Sequence, residues 1–164
     1  MTREIPLSQG LVALVDDADL NLVMSRGKWH AAASRTTHYA HRNVRVGSRR
    51  TTELMHTFLT GWSLVDHRNG NGLDNRRSNL RQATNTENAR NAKRGKNNTS
   101  GFKGVTSHLA PRGLRWRARI TVDRTTIHLG VFDTAEAAAR AYDTAALERF
   151  GEFAHLNFPQ GAIR

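Results

Sequence analysis

Cysteine is absent from this chain, which excludes disulfides and any cysteine-ligated zinc site. The opening Met-Thr-Arg-Glu is followed by no apolar run long enough for a signal peptide, and no run elsewhere is long enough for a membrane span. A soluble cytoplasmic protein, not secreted and without a membrane partner, is therefore expected. Aromatic residues make up only 7% of the chain, too few to suggest a stacking platform for single strands. Acidic residues are missing altogether from Asn88 to Val122. That stretch nevertheless holds Arg90, Lys93, Arg94, Lys96, Lys103, Arg112, Arg115, Arg117 and Arg119.

What is present is positive charge. There are 25 Lys and Arg against 14 Asp and Glu. Up to His30 the acidic side is slightly ahead, with Glu4, Asp16, Asp17 and Asp19 against Arg3, Arg26 and Lys28, so the excess lies in the remainder. Such an imbalance suits a polyanion, of which nucleic acid is the commonest. A ribosomal or merely solubilised surface explains so long a run without counter-charge less well. The 164 residues suffice for one ordinary domain or two to three small ones.

Periodicity places the elements. Leu11–Val15 reads as a strand, and Asp16 and Asp17 precede a short helix in which Leu20, Val23 and Met24 share a face. Trp29–Ala33 and His38–Val46 read as two further strands. His30, His38 and His41 show no metal-ligand spacing. A helix is expected over Thr52–Leu59, a strand over Trp62–Val65, a polar loop from Arg68 to Arg77 and a strand over Leu80–Ala83. Thr84 and Glu87 stand three apart, the spacing of a capping box, so a helix begins there. The run Arg94–Gly101 has linker composition. Beyond it come strands at Phe102–His108, Leu114–Val122 and Thr126–Phe132, then a helix from Ala135 to about Phe150 with Thr134 as N-cap. In the middle strand Trp116, Ala118 and Ile120 alternate with Arg115, Arg117 and Arg119, so one sheet face is apolar and the other basic.

Two segments carry chemistry. The first runs Leu64-Val65-Asp66-His67-Arg68-Asn69-Gly70-Asn71-Gly72-Leu73-Asp74-Asn75-Arg76-Arg77-Ser78-Asn79-Leu80-Arg81 and continues to Thr86-Glu87-Asn88-Ala89-Arg90-Asn91. Singly, these residues read as turns and surface polar groups. As an ordered string they resemble the HNH homing endonucleases encoded by phages and introns. The resemblance implies a ββα-metal module, a bacterial or phage-infected setting, and phosphodiester hydrolysis in double-stranded DNA. It casts Asp66 and Asn88 as metal ligands, His67 as general base, and Asn79 as the residue that holds the loop and orients His67. Oxygen ligands suit one divalent cation, Mg²⁺ or Mn²⁺. The motif's final His is replaced here by Asn88, a departure that bears on metal preference. Asp74 reads as structural and His56 as a packing or phosphate-side residue. Arg76, Arg77 and Arg81 read either as groups steadying the scissile strand or as solvated arginines.

The second segment comprises Ser100-Gly101-Phe102-Lys103-Gly104-Val105, Arg115 to Ile120, His128 to Asp143, and Leu156-Asn157-Phe158-Pro159. It is similar to the plant ethylene-response-factor (APETALA-type) domain, which implies a three-stranded sheet laid on DNA with a helix behind. By that resemblance Lys103, Arg115, Arg117, Arg119 and His128 face DNA. Thr106 and His128 replace the usual Arg and Trp, so the plant target sequence does not transfer. Trp116, Phe132, Tyr142 and Phe158 are expected in the core.

The expected fold class is α+β. A short α/β N-terminal region (1–50) precedes the nuclease module (51–93), a linker (94–100), and a three-stranded antiparallel sheet packed on one helix (101–164). The sequence does not set the oligomeric state. The competing function classes are a DNA-binding regulator with an inactive nuclease fold and an RNA-binding or ribosome-associated protein.

Overall fold

Ile5, Ala13, Val15, Val23 and Trp29 are widely scattered among polar residues, yet each turns to the same interior once short strands and one helical turn form around them. The computed structural model describes residues 1–159 except 35, 96 and 112. The chain divides into two compact units, Met1–Ala89 and Arg90–Arg164.

In the first unit β1 (Thr2–Pro6) pairs antiparallel with β2 (Val12–Asp16), placing Ile5 opposite Ala13. A helical turn, α1 (Leu20–Met24), follows. Next comes an antiparallel sheet of β3 (His30–Ala33), β4 (His38–Val46) and β5 (Arg49–Leu54), with β4 central. Helix α2 (Met55–Thr60) stops at Gly61, whose φ of 72° is a left-handed cap that a side chain would resist. The core is Ile5, Ala13, Val15, Val23, Trp29, Ala40, Met55 and Leu59. β6 (Val65–His67) pairs antiparallel with β7 (Leu80–Gln82), and α3 (Asn85–Asn91) begins three residues later. The capping box forms as expected: Thr84 Oγ1 accepts from the Glu87 N–H, and the Glu87 carboxylate accepts from the Thr84 N–H.

In the second unit β8 (Val105–Ala110), β9 (Gly113–Val122) and β10 (Thr125–Phe132) form an antiparallel sheet with β9 central. Helix α4 (Ala135–Phe150) packs on it, capped by Thr134, whose hydroxyl accepts from the Ala137 N–H. The small faces of Ala138, Ala139, Ala145 and Ala146 bring the helix close to Val105, Ala118 and Ile120. Tyr142 is buried, while Trp116, Phe132 and Phe158 are half-buried at the margin of the core. Among the described residues no helix is long and apolar enough to cross a membrane.

Several expected boundaries move. β1 was not foreseen, because Thr-Arg-Glu shows little apolar character and the strand is defined by pairing with β2. The helix expected from Thr52 starts at Met55: Thr51–Leu54 are held in β5 by pairing with β4, and two of the four are β-branched threonines. The strand expected over Trp62–Val65 lies at Val65–His67, so Asp66 and His67 are within the strand, where pairing with Leu80 and Arg81 overrides the apolar run before them. The strand expected from Phe102 begins at Val105, after a turn.

Gly104 has φ of 77°, and a Cβ there would overlap the Tyr142 ring and lie 2.8 Å from the Arg119 carbonyl oxygen. Replacing Gly104 by Ala should destabilise the protein by about 3 kcal/mol. Thermal unfolding of the two proteins side by side measures this, and an unchanged melting temperature would contradict the packing described.

Candidate active site and basic sheet face

The loop between β6 and β7 is long and polar, and its conformation is fixed by side chains bonding to backbone. Asn79 Oδ1 accepts from the Asn69 N–H at 3.1 Å, and its Nδ2 donates to the Asp74 carbonyl at 2.8 Å. The Asn79 carbonyl accepts from the Arg68 N–H at 2.9 Å. Asn79 thus binds the backbone that leaves His67 and the backbone that returns to β7. Asp74 is buried, takes Asn69 Nδ2 at 2.9 Å and pairs with Arg76, whose guanidinium holds the carboxyl below the usual carboxylate range. Asn75, fully buried, donates its N–H to Leu14 on β2, and Leu14 donates to the Leu73 carbonyl. Arg77 pairs with Asp19, and its N–H donates to Asp16. The loop is therefore laced to β2 and the turn after it.

Within this frame Asp66 and His67 are both buried. Asp66 Oδ2 accepts from Arg81 Nε at 2.7 Å and also from Arg81 Nη2; the two residues are cross-strand partners. Asn88 lies on the first turns of α3 and donates Nδ2 to the Val65 carbonyl at 3.5 Å, against the residue preceding Asp66. Its Oδ1 is buried without a hydrogen-bond partner. An amide oxygen taken from water and given nothing costs about 1–3 kcal/mol, so a cationic or protic ligand is the natural complement. The carbonyl that Asn88 meets belongs to Val65, the residue before Asp66, whose carboxylate is a hard-oxygen group of the type divalent cations take. Among the described residues no group of three His, Asp or Glu is arranged to hold a metal.

The imidazole has aromatic neighbours that local sequence does not indicate. His56 stands edge-on to His67, with ring centroids 5.0 Å apart and planes at 84°. Tyr39 of β4 lies 5.4 Å from the His56 ring and 5.7 Å from the His67 ring. Burial is the main influence on His67 and pushes its pKa below 6.5; the Asn75 side chain and the charges of Asp66 and Asp74 oppose it. Burial, helped by His67, pushes His56 down to about 4. Both rings are therefore held neutral. His56 was read from sequence as a packing or phosphate-side residue, and its burial matches the first; Tyr39 lies outside both motifs and was missed, and Asn75, though within the HNH string, was given no role there.

The arginines of the motif divide. Arg76 and Arg77 are ion-paired with Asp74 and Asp19 but keep exposed side-chain surface, whereas Arg81 is turned inward onto Asp66. In the second unit Arg115, Arg117 and Arg119 do share one face of β9, joined by Thr106 and His108 from β8 and His128 from β10. Arg115 pairs with Asp133 at 2.8 Å, Arg117 donates to His108 Nδ1 at 2.8 Å, and Arg119 and His128 are exposed. Lys103 departs from expectation: its ammonium is half-buried and donates to the carbonyls of Arg90 and Ala92, and burial pushes its pKa down to about 8. The chain turns at Gly104 just after it, and this directs the side chain to those carbonyls.

Residues 63–90, the segment that builds the first site, match the HNH endonuclease family. The chain is also similar to plant proteins. An AP2/ERF and B3 domain-containing protein of Oryza sativa subsp. japonica is 47% identical over 64 residues, covering 39% of this chain and 17% of that protein. APETALA2-like protein 2 of Oryza sativa subsp. indica is 42% identical over 71 residues, 43% and 16% of the two chains. An ethylene-responsive transcription factor of Arabidopsis thaliana is 50% identical over 62 residues, 37% and 23%. These matches are consistent with an HNH module joined to an AP2/ERF-type domain. The chain spans about a sixth of the length of the two rice relatives. All three relatives are plant proteins, so they lend no support to the bacterial or phage-infected setting that the HNH resemblance implied.

The low pKa of His56 has a consequence for stability. The unfolded chain binds a proton on this ring near 6.5, before the folded protein does. Stability is therefore full above about 6.5 and is lost as pH falls toward about 4. His56→Gln should lessen that acid-side loss by up to about 3 kcal/mol. Urea unfolding at neutral and at acid pH checks it; an equal loss in both proteins would refute the buried neutral ring.

Proposed function

We propose that this protein is a metal-dependent HNH endonuclease, homing-type, which hydrolyses phosphodiester bonds in duplex DNA and binds DNA through the basic face of its second unit. The observation that carries the reading is Asn88 Oδ1, a buried oxygen without a partner, on a side chain whose Nδ2 reaches the Val65 carbonyl of the strand bearing Asp66 and His67. Asp66 and Asn88 would hold one Mg²⁺ or Mn²⁺ ion in a ββα-metal arrangement. When bound, the ion supplies positive charge for the leaving 3′ oxygen.

The chain's own residues do the rest. His67, neutral at pH 7 because burial depresses its pKa, takes a proton from the attacking water. The water oxygen forms a bond to phosphorus, the bond from phosphorus to the 3′ oxygen breaks, and that oxygen takes a proton from solvent. Asn79 keeps the loop closed behind His67. Arg76 and Arg77, with exposed surface on the same loop, steady the scissile strand. Arg115, Arg117, Arg119 and His128 contact DNA from the second unit, while Lys103 is held by the carbonyls of Arg90 and Ala92. Arginine contacts of this kind either read guanine or grip phosphate.

A second reading is a DNA-binding regulator with an inactive nuclease fold. It is favoured by the Arg81 guanidinium, which already neutralises Asp66 in the position where a cation's charge would act. Supercoiled plasmid separates the two readings. With Mg²⁺ or Mn²⁺ the protein should nick or linearise it, and His67→Ala should lower the rate by roughly a hundredfold or more while leaving DNA binding unchanged. The rate should hold steady through neutral pH and fall only on acidification below the usual imidazole midpoint, since His67 protonates late. Failure of the wild-type protein to cut with either ion would leave the regulator.

A further inference from the structure

The β4–β5 hairpin of the first unit carries charge that the proposed site does not use. Side chains on a strand alternate, so Tyr39, Asn43 and Arg45 of β4 share one face, and Ala40 on the other face is buried in the core. Register adds Thr52 opposite Asn43 and Arg50 opposite Arg45 to that same face. Asn43, Arg45, Arg50 and Thr52 are all exposed. The hairpin's carboxylate, Glu53, is on the opposite face, bonded to Arg42.

Two features mark this face as a surface for an anion. Arg45 and Arg50 stand directly across from each other, a like-charge pairing that destabilises a sheet, and neither has a carboxylate partner among the described residues. The face is also continuous with the candidate active site, because Tyr39 at its other end packs against the His67 ring. Between the two ends lie His41, Asn43 and Thr52, which can donate hydrogen bonds, and one apolar side chain, Leu54, half-buried opposite His41.

We propose that this face of the β4–β5 hairpin is a second DNA-contacting surface, separate from the sheet of the second unit, with Arg45 and Arg50 binding phosphates of the duplex whose backbone is cut at His67. The proposal rests on the nuclease reading for its position but not for its charge. Six residues of strand separate Tyr39 from Arg45, about 20 Å at the rise of a β-strand. Along a duplex with about 3.4 Å per base pair, that distance places the contact about six base pairs from the scissile bond. Asn43 and Thr52 supply neutral donors to the backbone between. The partner is double-stranded DNA recognised through its phosphates, so the hairpin adds affinity and register without reading bases.

The test uses the full-length chain and a long mixed-sequence duplex without divalent cation. Binding is measured against salt for the wild type, Arg45→Gln/Arg50→Gln and Arg45→Lys/Arg50→Lys. Loss of two phosphate contacts should make the log–log slope shallower by about two in the glutamine variant, and the lysine variant should retain the wild-type slope. In plasmid cleavage the glutamine variant should raise KM roughly tenfold with kcat nearly unchanged. Phosphate-ethylation interference on the wild type, which needs no variant, should show contacts about six base pairs from the cut. An unchanged slope in a folded glutamine variant, or no interference at that spacing, overturns the proposal. Should the glutamine variant show the expected slope change while the wild type cuts nothing, the nuclease reading falls and the hairpin contact stands.

Discussion

Closure of the β6–β7 loop is the constraint on which the candidate active site depends. The loop contains little apolar material, so it cannot be held by burial of hydrophobic surface. Instead buried amides and a carboxylate take over the backbone groups: Asn79 at both ends, Asp74 across the middle, Asn75 against β2. Each such bond contributes about 1 kcal/mol net, but leaving any of these buried groups unmet costs more, which makes the closed loop close to all-or-none. Without it β6 and β7 would have no reason to pair at this register, and Asp66, His67 and Arg81 would not be neighbours.

The same loop explains why the N-terminal segment belongs with the motif. β2 contributes a backbone donor and acceptor at Leu14, and Asp16 and Asp19 bind Arg77. The acidic surplus of the first thirty residues is thereby accounted for in part: Asp16 and Asp19 both meet Arg77 of the loop. Farther along, β4 brings Tyr39 against the imidazoles, and Gly72 is required where the loop passes the Tyr39 ring and the His38 carbonyl, because a Cβ would clash with both. Positive charge is also carried on two sheet faces, by Arg45 and Arg50 in the first unit and by Arg115, Arg117 and Arg119 in the second.

Local patterns were legible to the extent that they depend on neighbours in the chain. The Thr84–Glu87 capping box, the Thr134 cap, and the alternation along β9 all rest on contacts within a few residues, and each appears where the spacing put it. Elements defined by partners far away were not legible. β1 exists because β2 is beside it, and Thr51–Leu54 are strand because β4 pairs with them. The shift of the strand at Asp66 has the same origin.

By itself the sequence determined the order of chemical groups: Asp66 next to His67, Asn79 and Asn88 at set intervals, three arginines alternating with apolar residues. Covalent order and period-two geometry are enough for that. Only the tertiary structure decided which charges are spent and which remain. It turned Arg81 onto Asp66, gave Lys103 to two backbone carbonyls, left Asn88 Oδ1 without a partner, and set Arg45 beside Arg50. The reason is that ion pairing and desolvation depend on distances of a few ångströms between residues far apart in the chain, and no local pattern encodes them.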